Sequence, residues 1–126
     1  VYNALQISLT GLPEGTYSIT ATAAIKPLTT FEPNAVAECV LSAGTTNIDY
    51  AETPLVKQER VVTVTAAGTV TFTGTGTLTL TCTAEAEKFE LIGGSTSGYK
   101  TTITAVKVRE GHPATTETAT TTTFTP

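Results

Sequence analysis

From Thr69 to Glu85 the chain reads TVTFTGTGTLTLTCTAE, with threonine at every second position as far as Thr83. A period of two sends alternate side chains to opposite faces of a β-strand. One face is then Thr69, Thr71, Thr73, Thr75, Thr77, Thr79, Thr81 and Thr83. The other is Val70, Phe72, Gly74, Gly76, Leu78, Leu80, Cys82 and Ala84. The apolar row packs inward and the hydroxylated row faces water. Threonine suits the outer row because its branched Cβ favours a pleated backbone and its hydroxyl tolerates solvent. Strands rarely exceed about 10 residues, and glycine weakens a strand while easing a tight loop. Gly74-Thr75-Gly76 therefore reads as a break between two strands, Thr69–Thr73 and Thr77–Thr83, forming a hairpin. A single strand kinked at the glycines is the alternative.

The same period recurs along the chain. Ala4–Leu9 alternates with Leu5, Ile7 and Leu9 on one face, and Thr16–Ile25 with Tyr17, Ile19, Ala21, Ala23 and Ile25. Gly11–Gly15 (GLPEG) is a turn. Lys26–Asn34, with two prolines, is a loop or edge segment. Ala35–Ala43 is a strand, Gly44–Asn47 a turn, Ile48–Ala51 a short strand and Glu52–Arg60 a polar connection. Val61–Thr65 is a strand ended by Ala66-Ala67-Gly68. Ala84–Lys88 is too short to nucleate a helix, Ile92–Gly98 is a glycine-rich loop, and Tyr99–Val108 is the last clear strand. Short strands at regular spacing with glycine turns predict an all-β fold, an antiparallel β-sandwich of jelly-roll type. The sandwich is placed at 1–109. The remainder, 110–126, is a threonine-rich tail with little to bury. Such a terminus is ordered only when something ties it down, either an edge of its own sheet or a neighbouring chain. The expectation adopted is contact with another copy or another protein, with Phe124 as anchor and Thr121 and Thr123 beside it.

Threonine fills about a quarter of the chain, tryptophan and methionine are absent, and the net charge is −4. That balance offers no basic patch for nucleic acid, and no apolar run is long enough to span a membrane. The chain begins at Val1, which is expected of a processed product, whether by signal-peptide removal or loss of an initiator methionine. Cys39 and Cys82 each sit in an inward row. They read either as a disulfide, closing a loop worth roughly 4 kcal/mol on the chain-entropy account, or as two buried thiols packing as small hydrophobes. Their spacing makes no zinc motif.

Candidate chemistry is sparse. The single histidine, His112, lies between Gly111 and Pro113 in the tail and reads as a solvent-facing loop residue. No catalytic triad is expected without a histidine near a nucleophile. With one aspartate, Asp49, no calcium loop is spelled out, and neither a phosphate loop nor a dinucleotide fingerprint is present. No enzyme activity, no cofactor and no resident metal are expected. Among the aromatic residues, Tyr50 and Tyr99 are the candidate glycan contacts. A threonine row also resembles the ice-binding faces of some antifreeze proteins, but one row across a twisted hairpin makes no two-dimensional lattice.

The segments GTYSITATAAI, CVLSAG with Asp49 shortly after, TFTGTGTLTLTC and GYKTTITAVKV occur in this order over roughly residues 12–108. In this they resemble jelly-roll domains, similar to the tumour-necrosis-factor-like type, in virion and fibre proteins of actinobacteria and their phages. The resemblance implies a structural or attachment role, no catalytic residues, and a bridge between the two cysteines. The expected function is thus a non-enzymatic structural subunit of a larger assembly, foremost a phage virion protein such as a capsid decoration or a tail or fibre component. The alternatives are a secreted fibre or pilus subunit that exchanges a terminal strand, and a carbohydrate-binding module. Expected partners are copies of the chain itself and other virion or filament proteins, with a glycan under the third reading. The expected location is the virion or the extracellular space.

Overall fold

Alternation becomes architecture in a computed structural model, which describes residues 4–92, 100–108, 115–119 and 122–123, the last two stretches by their backbone. Among the described residues ten strands form: β1 (Leu5–Leu12), β2 (Gly15–Pro27), β3 (Val36–Ala43), β4 (Thr46–Pro54), β5 (Val62–Phe72), β6 (Gly76–Ala84), β7 (Phe89–Leu91), β8 (Thr102–Val108), β9 (Thr115–Ala119) and β10 (Thr122–Thr123). The first sheet has the order β10-β1-β6-β3-β4. The second runs β5-β2-β8-β9, with β7 also paired to β2. All pairings are antiparallel, and among the described residues there is no helix.

The two sheets pack as a sandwich on the rows that the period of two selects. Ile7, Leu41, Leu78 and Leu80 of the first sheet meet Ile19, Ala21, Ala23, Val64, Ile103 and Ala105 of the second, all buried in one core. Tyr17 is buried with them and keeps its hydroxyl satisfied by donating to the Pro13 carbonyl at 2.7 Å. The winding that forms sets β2 between β5 and β8, and β1 between β6 and β10. This strand order does not by itself establish the jelly-roll form of the sandwich.

The threonine stretch departs from its sequence reading. Its two halves do not form a hairpin: β5 belongs to the second sheet and β6 to the first. Residues 73–75 carry the chain across the sandwich. Gly76 is required where the chain arrives, because a Cβ there would run into the ring of Phe72. Nor does the preceding strand stop at Ala66-Ala67-Gly68, since β5 runs unbroken from Val62 to Phe72. Gly68 is not a turn residue but a seat, because a Cβ would run into Ile48 Cγ2 on β4.

That seat closes one side of the sandwich. β4 and β5 end their respective sheets, and each would otherwise leave backbone groups unpaired. Asp49 bridges them: its carboxylate accepts from the Tyr50 amide at 2.9 Å and from the Ala67 amide of β5 at 2.9 Å. A bulge in the β3–β4 pairing, between Leu41 and Ser42, re-aims this part of β4. The short strand expected at Ile48–Ala51 is accordingly longer, Thr46–Pro54. Its apolar positions are too few to announce an edge strand.

At the other side, strands from the tail extend both sheets. β9 pairs β8 from Ile103↔Ala119 to Lys107↔Thr115, and β10 pairs β1 at Gln6↔Thr123 and Ile7↔Thr122. The pairing is intramolecular, where the sequence reading looked to a second chain. Phe124 and Thr121 lie outside the described residues, and Thr123 is described only by its backbone.

One buried hydroxyl completes the second sheet. β8 ends its pairing with β2 at Thr22↔Thr102, and β7 takes over at Ile25↔Leu91. Between them Ala24 is served by other groups. Its amide donates to Thr101 Oγ1 at 3.0 Å, and its carbonyl accepts from the Ile92 amide at 2.8 Å and from the same Thr101 hydroxyl at 3.5 Å. Thr101 is fully buried, so its hydroxyl stands in for a missing ladder partner.

Candidate functional site: the outer faces of the sandwich

Because β5 and β6 lie in different sheets, the threonines of the 69–83 stretch are divided between the two outer faces of the molecule. On the second sheet four rows cross β5, β2 and β8: Thr71, Thr16 and Val108; Thr69, Ser18 and Val106; Ala67, Thr20 and Thr104; Thr65, Thr22 and Thr102. These positions are exposed or half-buried. In the same register β9 places Thr116 beside Val106 and Thr118 beside Thr104. No charged residue occupies any of these rows. Cross-strand hydroxyl pairs tie them together, Thr16 to Thr71 at 2.8 Å and Thr22 to Thr65 at 3.4 Å. Beyond the rows Lys26 pairs with Glu59 at 3.3 Å and Glu90 at 4.0 Å, and between them Lys107 of β8 and Glu117 of β9 fall at the alternate register positions, opposite Tyr17 and Ala105.

The first sheet is different. Thr79 faces Ser8 at 3.2 Å and Thr81 donates to Gln6 at 3.4 Å, continuing the hydroxylated row. Toward β4, however, two glutamates stand directly opposite one another, Glu38 on β3 and Glu52 on β4. Like charges so placed repel. The Tyr50 phenol lies between them, donating to Glu38 and lying 3.0 Å from Glu52, while Thr83 donates to Glu38 at 3.4 Å. Hydrogen bonding to Glu38 and then Glu52, followed by desolvation and by the repulsion that a phenolate would meet beside two carboxylates, pushes the Tyr50 pKa far above its ordinary value of 10.0. The sign follows: in the window above pH 10 the unfolded tyrosine loses its proton while the folded one keeps it, so this group's contribution to stability is full below pH 10 and declines as pH rises beyond it. In an absorbance titration near 295 nm, the difference between the wild type and Tyr50→Phe is expected to show Tyr50 ionising above the ordinary tyrosine range. In E38Q/E52Q that tyrosine should return toward the ordinary range. Unchanged late ionisation in the double variant would refute the assignment.

Of the two candidate glycan contacts, Tyr50 is 53% exposed with its hydroxyl committed to the glutamates. Tyr99 lies outside the described residues, as does His112, so the structure does not bring the two tyrosines together. The cysteines are brought together. Cys39 and Cys82 face each other across β3 and β6, buried, and form a disulfide with a Cα separation of 4.1 Å. A cavity of about 260 Å³ lies between the 30–32 loop and the segment after β6, lined by Thr30, Phe31, Glu32, Glu85, Ala86 and Glu87. Glu85 is partly engaged there, accepting from the Val36 amide at 2.9 Å. Among the described residues no three histidine, cysteine, aspartate or glutamate side chains gather as metal ligands, and no helix is long and apolar enough to cross a membrane.

The chain matches no known family model, no curated protein and no solved structure. The site therefore has to be read from its own geometry. Sequence reasoning missed Asp49, Glu38, Glu52 and Thr101 as structural or electrostatic centres. For the glutamates the alternation does signal an outward position, but only the register makes them neighbours.

Proposed function

We propose that this protein is a non-enzymatic structural subunit of a larger assembly, foremost a virion component such as a capsid decoration or a tail or fibre protein. The observation that carries the reading is the uncharged, hydroxylated outer face of the second sheet. A neighbour that covers such a face has few ions to desolvate. The buried disulfide supports an oxidising setting, virion or extracellular, and the resemblance of the GTYSITATAAI, TFTGTGTLTLTC and GYKTTITAVKV segments to actinobacterial and phage jelly-roll domains supports the virion. A second reading, a secreted fibre or pilus subunit exchanging a terminal strand, is favoured by one observation. β9 and β10 are C-terminal and sit at sheet edges, where an equivalent strand from a neighbour makes the same backbone pairs.

Quantitative peptide mass spectrometry of gradient-purified particles and of sheared filaments from the producing culture tests both. The expected result is the chain at a fixed copy number in particles. Recovery in filaments would transfer the assignment to the second reading. Recovery only as free secreted protein would overturn both.

A further inference from the structure

The two outer faces of this sandwich are chemically unequal, and the inequality points to what covers one of them. We infer that the threonine face of the second sheet is a self-association surface, and that its occupant is the same face of a second copy. The inference rests on the reading of the chain as an assembly subunit and deepens it by naming the surface and the partner.

Three features support a second copy. The first is charge. The chain carries −4 overall, so a contact between copies costs least where it brings no like charges together and desolvates none. The rows from Thr16–Thr71 to Thr22–Thr65 are such a place, whereas the first sheet presents Glu38 and Glu52. The second is self-complementarity. A threonine hydroxyl both donates and accepts, so a face made of hydroxyls finds its partners in an identical face, as a two-fold contact demands. A face of donors only, or of one charge, does not.

The third is shape and area. Threonine, serine, alanine and valine side chains are of similar height, so the surface has no protruding group. Two such twisted sheets stack about 10 Å apart with strands near −30° to one another. With strands about 4.8 Å apart and outward residues about 6.7 Å apart along each strand, four rows over three strands cover roughly 400 Å². β9, with Thr116 and Thr118, raises this to roughly 450 Å². Two faces together bury on the order of 900 Å², the size of a weak, transient contact. The contact is therefore weak between two free molecules, and gains strength when many copies are held side by side.

Sedimentation velocity of the purified chain over a concentration series tests this against two lysine variants. Thr20→Lys places a charge in the centre of the face, between Ala67 and Thr104. Thr77→Lys places the same charge on an exposed threonine of β6 in the first sheet. Circular dichroism and melting of both variants establish that the fold is kept. The expected result is a reversible dimer in the wild type, a dissociation constant raised at least about tenfold in Thr20→Lys, and wild-type behaviour in Thr77→Lys. Because the contact is uncharged, raising the salt to about 0.5 M should leave the constant within about twofold. A wild type that stays monomeric throughout, or a dimer indifferent to Thr20→Lys, overturns the inference. A monomer that instead sediments with insoluble polysaccharide, and loses this in Thr20→Lys, also overturns it in favour of a sugar-binding face. Particles that contain a chain monomeric in solution would leave the structural-subunit reading intact while removing this one.

Discussion

Replacing Cys39 and Cys82 together by alanine is expected to lower the melting temperature by on the order of 10–20 °C. The bridge joins residues 43 apart in sequence, and releasing a loop of that length returns roughly 4 kcal/mol of chain entropy to the unfolded state. Both side chains are also buried against the core, at 1% and 0% exposure, so the sulfur atoms leave space that the neighbours fill incompletely. The same burial shields the bond from reductant. Thiol alkylation of the unreduced protein in denaturant is expected to add nothing to its mass, and reductant without denaturant to act only at the rate at which the sandwich opens. Uptake of two alkyl groups by the unreduced, denatured chain would show that no bridge exists. A double variant melting within about 3 °C of the wild type would show that the bridge contributes little.

Gly68→Ala is the second large effect, expected to destabilise by about 1–3 kcal/mol, the range for forcing a group into packed space. At an ordinary strand position this exchange is mildly favourable, because it restricts the unfolded chain. Here the new methyl meets Ile48 Cγ2. That atom branches directly from Cβ, so it leaves only by a χ1 rotation, which a β-branched side chain resists, or by a shift of β4. Displacing β4 also pulls Asp49 from the Ala67 amide and opens the seam between the two sheets. Ile48→Ala removes the obstructing atom. In urea denaturation the double variant Gly68→Ala/Ile48→Ala is expected to be more stable than the sum of the single losses, with a coupling of about 0.5–3 kcal/mol. Strict additivity, or a Gly68→Ala protein as stable as the wild type, would rule out the seat.

These two sites mark the line between what was legible in the chain and what was not. The period of two alone determined which side chains face the core. Leu5, Ile7, Tyr17, Ile19, Ala21, Ala23, Ile25, Cys39, Leu78, Leu80 and Cys82 are inward in the pattern and buried in the fold, because each strand needs one apolar face whatever sheet it joins. The pattern also carried the sandwich class. It did not contain the partner of each strand. The threonine stretch has the same alternation on both sides of Gly74, and nothing local distinguishes a hairpin from a crossing between sheets. That choice depends on long-range packing, with Tyr17 against Phe72 and Ile48 against Gly68.

Register was equally out of reach. Glu38 and Glu52, Thr20 and Thr104, and Cys39 and Cys82 are outward or inward by their own strand's parity, but they become neighbours only when sheets assemble. Edges are collective properties too. Asp49 reads as an isolated acid until β4 and β5 meet, and the tail reads as unable to hold itself until β8 and β1 offer open backbone groups to β9 and β10. Side-chain direction is a local consequence of backbone geometry, so the sequence alone determined it. Which faces and edges adjoin is settled by burial and hydrogen bonding between segments far apart in the chain, and only the tertiary structure decided that.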